Sequence, residues 1–271
     1  YPLIWRGYSK DNLTRNNFVY YLAISPKIRR IAIQSMTGTS GRQRIQADLL
    51  GDVEIGISSL EEQTAIAKIL SGFDSKIELL QKQNKTLEAI GQALFKHWFI
   101  DFEFPDEEGK PYKSSGGEMV FNDELGKEIP ANWCVGKIED LCSSITNGGT
   151  PKRMESRYWG GDIAWFKTGE LADNPLIDSE EYITEEGLKN SACKLWNENT
   201  ILIALYASPT VGRLGLLKTK ATSNQACSGL VAKQEIGYQF LFYVLYSKKN
   251  EFNNISVGAA QQNINQKIVQ D

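Results

Sequence analysis

His97 is the only histidine among 271 residues, and the cysteines are Cys134, Cys142, Cys193 and Cys227. Nucleophilic catalysis of the Ser-His-Asp or Cys-His kind would have to run through His97. That residue lies in Lys96-His97-Trp98-Phe99, a helical run rich in aromatics, where a packed or surface histidine is expected instead. No Cys-x-x-Cys pair is present, whereas structural zinc takes four Cys or His ligands at close spacing. Reduced thiols in a cytoplasmic protein are the expectation. Acid–base work could fall to Asp162, Glu170 or Glu180, but nothing in their spacing favours it. The side chains offer no catalytic constellation, so this chain is expected to hold neither metal nor cofactor and not to be an enzyme.

With 30 Lys and Arg against 33 Asp and Glu, the formal net charge is −3 and the pI about 5.5. Taken alone, that balance speaks against nucleic acid, because neutralising phosphates calls for cations. What decides is whether basic residues gather on one face. A hydrophobic fraction of 41% and a charged fraction of 23% are ordinary for a globular chain. No apolar run approaches the ~20 residues of a membrane span, and no signal peptide opens the chain. Tyr1-Pro2-Leu3-Ile4-Trp5 is not a natural initiation, so preceding residues are expected to be missing or removed.

The elements that must position any site are clearest between Leu60 and Phe99. Ser58-Ser59-Leu60-Glu61-Glu62-Gln63 reads as a serine-capped helix start with an acidic first turn. Ile66, Leu70, Phe73, Ile77, Leu80, Asn84, Leu87, Gly91 and Leu94 then recur at alternating steps of four and three, a heptad seam. A helix of this length spans roughly 50–60 Å. It is expected to act as a spacer whose seam packs on another long helix. Asn84 is either a surface position or a buried amide that sets register, and Gly91 either a close helix approach or a weak point. A Pro-, Gly-, Ser- and charge-rich linker follows, to Ile129-Pro130. Short strands are expected at Ile163–Phe166, Thr200–Ala204, Gly215–Leu217 and Gly229–Ala232, and a helix from Gln239 to Lys249. The reading is an α+β fold of short strands and helices attached to a long coiled-coil-type helix.

Phe18-Val19-Tyr20-Tyr21-Leu22-Ala23-Ile24-Ser25 matches Phe240-Leu241-Phe242-Tyr243-Val244-Leu245-Tyr246-Ser247. A glycine-led polar stretch follows each, Gly38 to Gln46 and Gly258 to Asn265, at an offset of about 220 residues. The chain thus holds one period plus an overlap. A two-period parent of about 440 residues would run domain, long helix, domain, long helix.

Leu60-Glu61-Glu62-Gln63-Thr64-Ala65-Ile66-Ala67-Lys68-Ile69-Leu70 with Phe73-Asp74-Ser75-Lys76-Ile77 is the most distinctive of three blocks. Leu94 to Pro105 and Lys113-Ser114-Ser115-Gly116-Gly117-Glu118-Met119 continue it. Ile129-Pro130-x-x-Trp133, Asn147-Gly148-Gly149-Thr150-Pro151 and Tyr158 to Trp165 make the third. Together these blocks resemble the DNA-specificity subunits of type I restriction–modification enzymes, the last of them the opening of a target-recognition domain. The resemblance implies two such domains at the ends of an antiparallel pair of long helices, each reading half of a bipartite site in double-stranded DNA. It further implies docking of DNA-methyltransferase subunits, which use S-adenosylmethionine, and of restriction–translocase subunits, which use ATP and Mg. The specificity subunit itself carries no active site. On this plan residues 1–58 are the C-terminal part of a first recognition domain, 59–100 the spacer helix, 101–129 a linker, and 130–271 a second recognition domain lacking its C-terminal end. A homodimer through the long helix could supply its missing partner.

Phosphates are met by Lys, Arg and small polar groups, and base edges by Arg, Lys, Asn and Gln. The candidates are Thr150, Lys152, Arg153 and Arg157 after Gly148-Gly149; Lys167 and Thr168; Tyr206, Ser208, Thr210 and Arg213 in a Pro/Gly loop; and Asn224 with Gln225. In the remnant, Lys27, Arg29, Arg30, Arg42 and Arg44 form a basic patch. Gly148-Gly149 lacks the ending of a phosphate loop and is expected to make a turn. The aromatic run Phe240 to Tyr246 is expected to pack in a core, not to stack on single strands. A coiled-coil scaffold without nucleic-acid binding is the competing reading, supported by the acidic pI and the heptad helix.

Overall fold

The computed structural model describes residues 14–37, 44–45, 53–206, 210–257, 267 and 269. The chain divides into two compact units, residues 1–91 and 92–271.

In the first unit α1 (Asn16–Ile24) and α2 (Pro26–Gln34) are separated by Ser25. Its Oγ accepts the Ile28 N–H, and Pro26 opens α2 where a missing N–H costs nothing. The two-residue strands β1 (Met36–Thr37) and β2 (Arg44–Ile45) pair antiparallel. The long helix α3 covers Leu60–Phe95. Its start is a reciprocal cap: the Glu62 N–H donates to Ser59 Oγ, and the Ser59 N–H donates to the Glu62 carboxylate, each at 3.2 Å. Gln63 is fully buried beside this cap, accepting from the Arg15 N–H at 3.0 Å and donating to Ser58 O at 2.8 Å. Tyr21 in α1 donates to Asp74 at 2.7 Å, and the neighbouring carboxylate pushes the phenol up to about 12.

The heptad seam is in place on α3 and open in this chain. Ile66, Leu70, Phe73, Ile77, Leu80, Leu87 and Leu94 are exposed by 36% (Leu70) to 65% (Leu87), and Asn84 is exposed with them. No helix among the described residues covers the stripe. Where the sequence suggested regular helix to Phe99, Lys96–Ile100 forms a wider π turn, and Phe102 takes a φ of 63°. Phe95 and Phe99 pack there on Phe240, at ring separations of 5.9 and 4.9 Å. The 101–129 stretch carries a hairpin strand, β3 (Met119–Asn122), paired antiparallel with β4 (Lys127–Pro130).

The second unit is built on β5 (Cys142–Asn147), β6 (Trp159–Phe166), β7 (Asn174–Leu176), β8 (Tyr182–Ile183), β9 (Ile201–Ala204), β10 (Leu214–Leu217), β11 (Ala221–Ser223) and β12 (Cys227–Ala232). Helix α4 (Glu185–Lys189) follows β8, and α5 (Tyr238–Val257) follows β12. Five strands lie in the order β5-β12-β9-β10-β7 and three in the order β11-β6-β8. All four residues of β9 are fully buried. Successive side chains point to opposite faces. Ile201 and Ile203 pack with Leu214, Leu230, Leu241 and Leu245, while Leu202 and Ala204 pack with Phe166, Leu171, Trp196 and Leu217. A strand covered on both faces reads as a continuous apolar run, which is why Ile201-Leu202-Ile203-Ala204 shows no polar alternation. Leu241 and Leu245 are fully buried, so the aromatic run of α5 belongs to a core. The expected α+β architecture is therefore present. Both copies of the Phe–Tyr repeat are helical, in α1 and α5. The glycine-led stretches after them lie outside the described residues, apart from the short β2 segment.

Candidate nucleic-acid interface

Strand register gathers several of the candidate residues at one edge of the five-stranded sheet. Asn147 at the end of β5 pairs with Ser228, and Cys227 at the start of β12 pairs with Ala204 at the end of β9. Leu214 at the start of β10 pairs with Ile203. The β5–β6, β9–β10 and β11–β12 connections consequently leave the sheet on the same side. They bring Thr150, Tyr206, Arg213, Asn224 and Gln225 to that edge. Two bonds tie the connections together: Leu205 N–H to Ala226 O at 2.8 Å, and Thr150 Oγ1 to Gln225 Oε1 at 2.5 Å. Strand β6 joins through Asn224, whose N–H donates to Phe166 O at 3.0 Å and sets Lys167 and Thr168 beside it.

Gly148 and Gly149 are not a turn. They are a close crossing of three chain segments. A Cβ on Gly148 would lie 2.4 Å from the Ser223 and Asn224 carbonyl oxygens, and one on Gly149 2.5 Å from the Ala192–Cys193 peptide. Their N–H groups donate to Cys227 O at 3.0 Å and Ser223 O at 2.8 Å, so neither is left to cradle a phosphate. The Gly149 carbonyl accepts from the Trp165 indole at 2.8 Å and the Cys193 thiol at 3.0 Å. Glycine is required here by closeness of backbone, not by an unusual φ.

The cations are less free than their sequence suggested. Arg153 is ion-paired through Nη1 to Glu181, and its guanidinium lies 3.9 Å from the ring centroid of Trp159 and 4.6 Å from that of Trp165. Lys167 Nζ pairs with Glu180 at 2.8 Å and Glu181 at 3.0 Å. Hydrogen bonding from Arg153, then from Lys167, holds the Glu181 carboxyl below the usual carboxylate range. Glu180 and then Glu181 push the Lys167 ammonium up. Arg157 is turned toward α4: it pairs with Glu186 at 3.0 Å and Glu155 at 3.3 Å, which raise it further. Lys152 is exposed and makes no ion pair among the described residues. Arg213 is half-buried at the sheet edge, its N–H donating to Thr210 O at 3.0 Å. Ser208 and Arg42 lie outside the described residues, as does the side chain of Arg44. Lys27, Arg29 and Arg30 are exposed on α2, in the other unit.

Sequence reading missed Glu181, Ser179, Trp159 and Trp165 as parts of this arrangement. Ser179 Oγ donates to Trp165 O at 2.8 Å and helps fix the acidic segment against β6. The Arg153–Glu181 pair spans 28 positions, and no local pattern announces it. Glu170, an acid–base candidate, caps a local turn by accepting the Lys167 N–H at 2.8 Å. His97 is exposed. Burial pushes the Cys142 thiol up to about 11 and that of Cys227 up to about 12.

Comparison with known proteins bears on this arrangement. A family model described as the type I restriction modification DNA specificity domain matches two segments, residues 5–89 and 130–271. The MjaIX specificity subunit of Methanocaldococcus jannaschii is 36% identical over 193 residues, covering 71% of this chain and 42% of the relative. The HindI specificity subunit of Haemophilus influenzae is 24% identical over 284 residues, covering 86% of this chain and 61% of the relative. The chain thus spans about half the length of these relatives. In fold it is similar to the crystal structure of the type I restriction–modification S subunit from M. genitalium, with a TM-score of 0.52 at 17% identity, over 96% of this chain and 61% of that one. No helix among the described residues is long and apolar enough to cross a membrane. With the family model matching well over half of its residues, the chain belongs to the type I restriction modification DNA specificity domain family.

Proposed function

We propose that this chain reads sequence in double-stranded DNA as the non-catalytic specificity component of a cytoplasmic restriction–modification complex. The observation that carries the reading is the sheet edge, where three connections converge and present Thr150, Tyr206, Arg213, Asn224 and Gln225 together. Amides and guanidinium groups at one edge suit base-edge contacts, and hydroxyls with Lys152, which has no ion pair among the described residues, suit phosphates. In this reading the chain holds no cofactor of its own. S-adenosylmethionine, ATP and Mg serve methyltransferase and restriction–translocase subunits. The exposed seam of α3 is covered by a second long helix, in the full-length parent or in a second copy of the chain. Spacer length then sets the distance between two half-sites.

The test uses the full-length parent co-purified with its methyltransferase subunit and incubated with DNA whose methylated positions are then sequenced. Adenine methylation at a split motif with a fixed gap is expected. A complex that forms but methylates no such motif would leave a coiled-coil scaffold as the better reading, consistent with the open seam. Failure to form a complex would remove the proposed partner.

A further inference from the structure

Arg153 is neutralised, as Lys167 and Arg157 are, but it is also held against two indole rings. Its guanidinium lies against two indoles, and Nη1 is committed to Glu181. Glu181 is itself held by Lys167, which also takes Glu180. Two cations and two carboxylates cancel, so this cluster offers little attraction to a phosphate, and Glu181 would repel one. Yet the Arg153 side chain is 49% exposed. Its Nε and Nη2 have no hydrogen-bond partner among the described residues. Those two N–H groups lie on one edge of the guanidinium plane and point in parallel. That is the donor pair matched by two acceptors side by side on an uncharged partner. In the major groove guanine presents such a pair, O6 and N7.

We propose that Arg153 is a specificity-determining residue that reads a guanine, and that Glu181, Trp159 and Trp165 are positioning residues that aim its free edge. The proposal rests on the DNA-reading function above. Preorganisation is the physical gain: a free arginine must immobilise its rotamers on binding, whereas this one is already fixed by stacking and by a charge-assisted bond. Lys152, one residue away and without an ion pair among the described residues, has the opposite character and is a phosphate contact.

The experiment measures binding of the full-length parent, in complex with its methyltransferase subunit, to a library with each half-site position randomised, at several salt concentrations. The variants are Arg153→Met, Glu181→Gln and Lys152→Ala. Arg153→Met keeps a stem on the indoles, and thermal melts check that each variant folds. Arg153→Met is expected to relax preference at a single guanine by about 5- to 150-fold, leaving other positions and the salt slope nearly unchanged. Glu181→Gln, which retains Arg153, is expected to relax the same position less. Lys152→Ala is expected to weaken all sequences alike and to make the salt slope shallower by about 0.9. Uniform weakening by Arg153→Met with a shallower slope would make Arg153 a phosphate contact and overturn the proposal. Undiminished preference in Arg153→Met overturns it as well. Should Arg153→Met fail to fold, undiminished preference in Glu181→Gln does the same. Absence of any sequence preference in the wild-type complex would instead defeat the DNA-reading function, and this proposal with it.

Discussion

A methyl group at Gly148 would sit 2.4 Å from two carbonyl oxygens and the Ser223 hydroxyl, with backbone on both sides that cannot rotate away. Gly148→Ala is therefore expected to destabilise the second unit by about 1–3 kcal/mol, read as a lowered urea midpoint at unchanged m-value. An unchanged midpoint would show that the crossing relaxes at no cost. Glu181 behaves differently because its effect depends on pH. Arg153 and Lys167 depress its folded-state value, so the unfolded chain binds its proton more tightly than the folded protein does. The stabilisation is complete above the unfolded value of ~4.3 and disappears as pH falls through the lower folded value. Glu181→Gln should thus melt below the parent at pH 7, and the difference should close as pH falls below about 4. A difference that stays constant across that window would assign the loss to packing and not to charge. Neither residue carried a local signal of its role. Gly148-Gly149 reads as a turn because glycines usually mark turns, and its reason here is a crossing with segments more than 40 positions away.

At the scale of elements, α3 is the part most legible in advance. Its cap depends on Ser59 and Glu62, three positions apart, and its stripe on steps of three and four, all within one helix. Strand β9 was legible for a similar reason, since continuous burial selects apolar runs. The end of α3 was not. The π turn at Lys96–Ile100 accompanies packing of Phe95 and Phe99 on Phe240, whose sequence distance hides it. Exposure of the seam has a direct consequence. Phe73 is 63% and Ile77 52% exposed, so changing both to Glu leaves the buried core of the described residues in place. The chain is expected to self-associate in sedimentation runs as concentration rises, and the double variant to stay monomeric with its helix content retained. Identical monomeric behaviour of both would mean that the stripe needs a different helix to cover it.

Over the whole molecule, the acidic balance of −3 argued against nucleic acid, and the structure explains why that argument is weak. Arg153, Arg157 and Lys167 are matched by Glu181, Glu186 and Glu180, so much of the charge is spent on internal order and says little about the sheet edge. Sequence alone determined what depends on near neighbours: the helix period, the serine cap, the apolar strands and the motifs that place the chain in its family. The tertiary structure decided which side chains meet. Register of β5, β12, β9 and β10 chose the edge at which Thr150, Tyr206, Arg213 and Asn224 gather. Which cations keep a free edge was decided there too, because an ion pair forms wherever distant carboxylates are delivered by the fold, and no periodicity along the chain records that delivery.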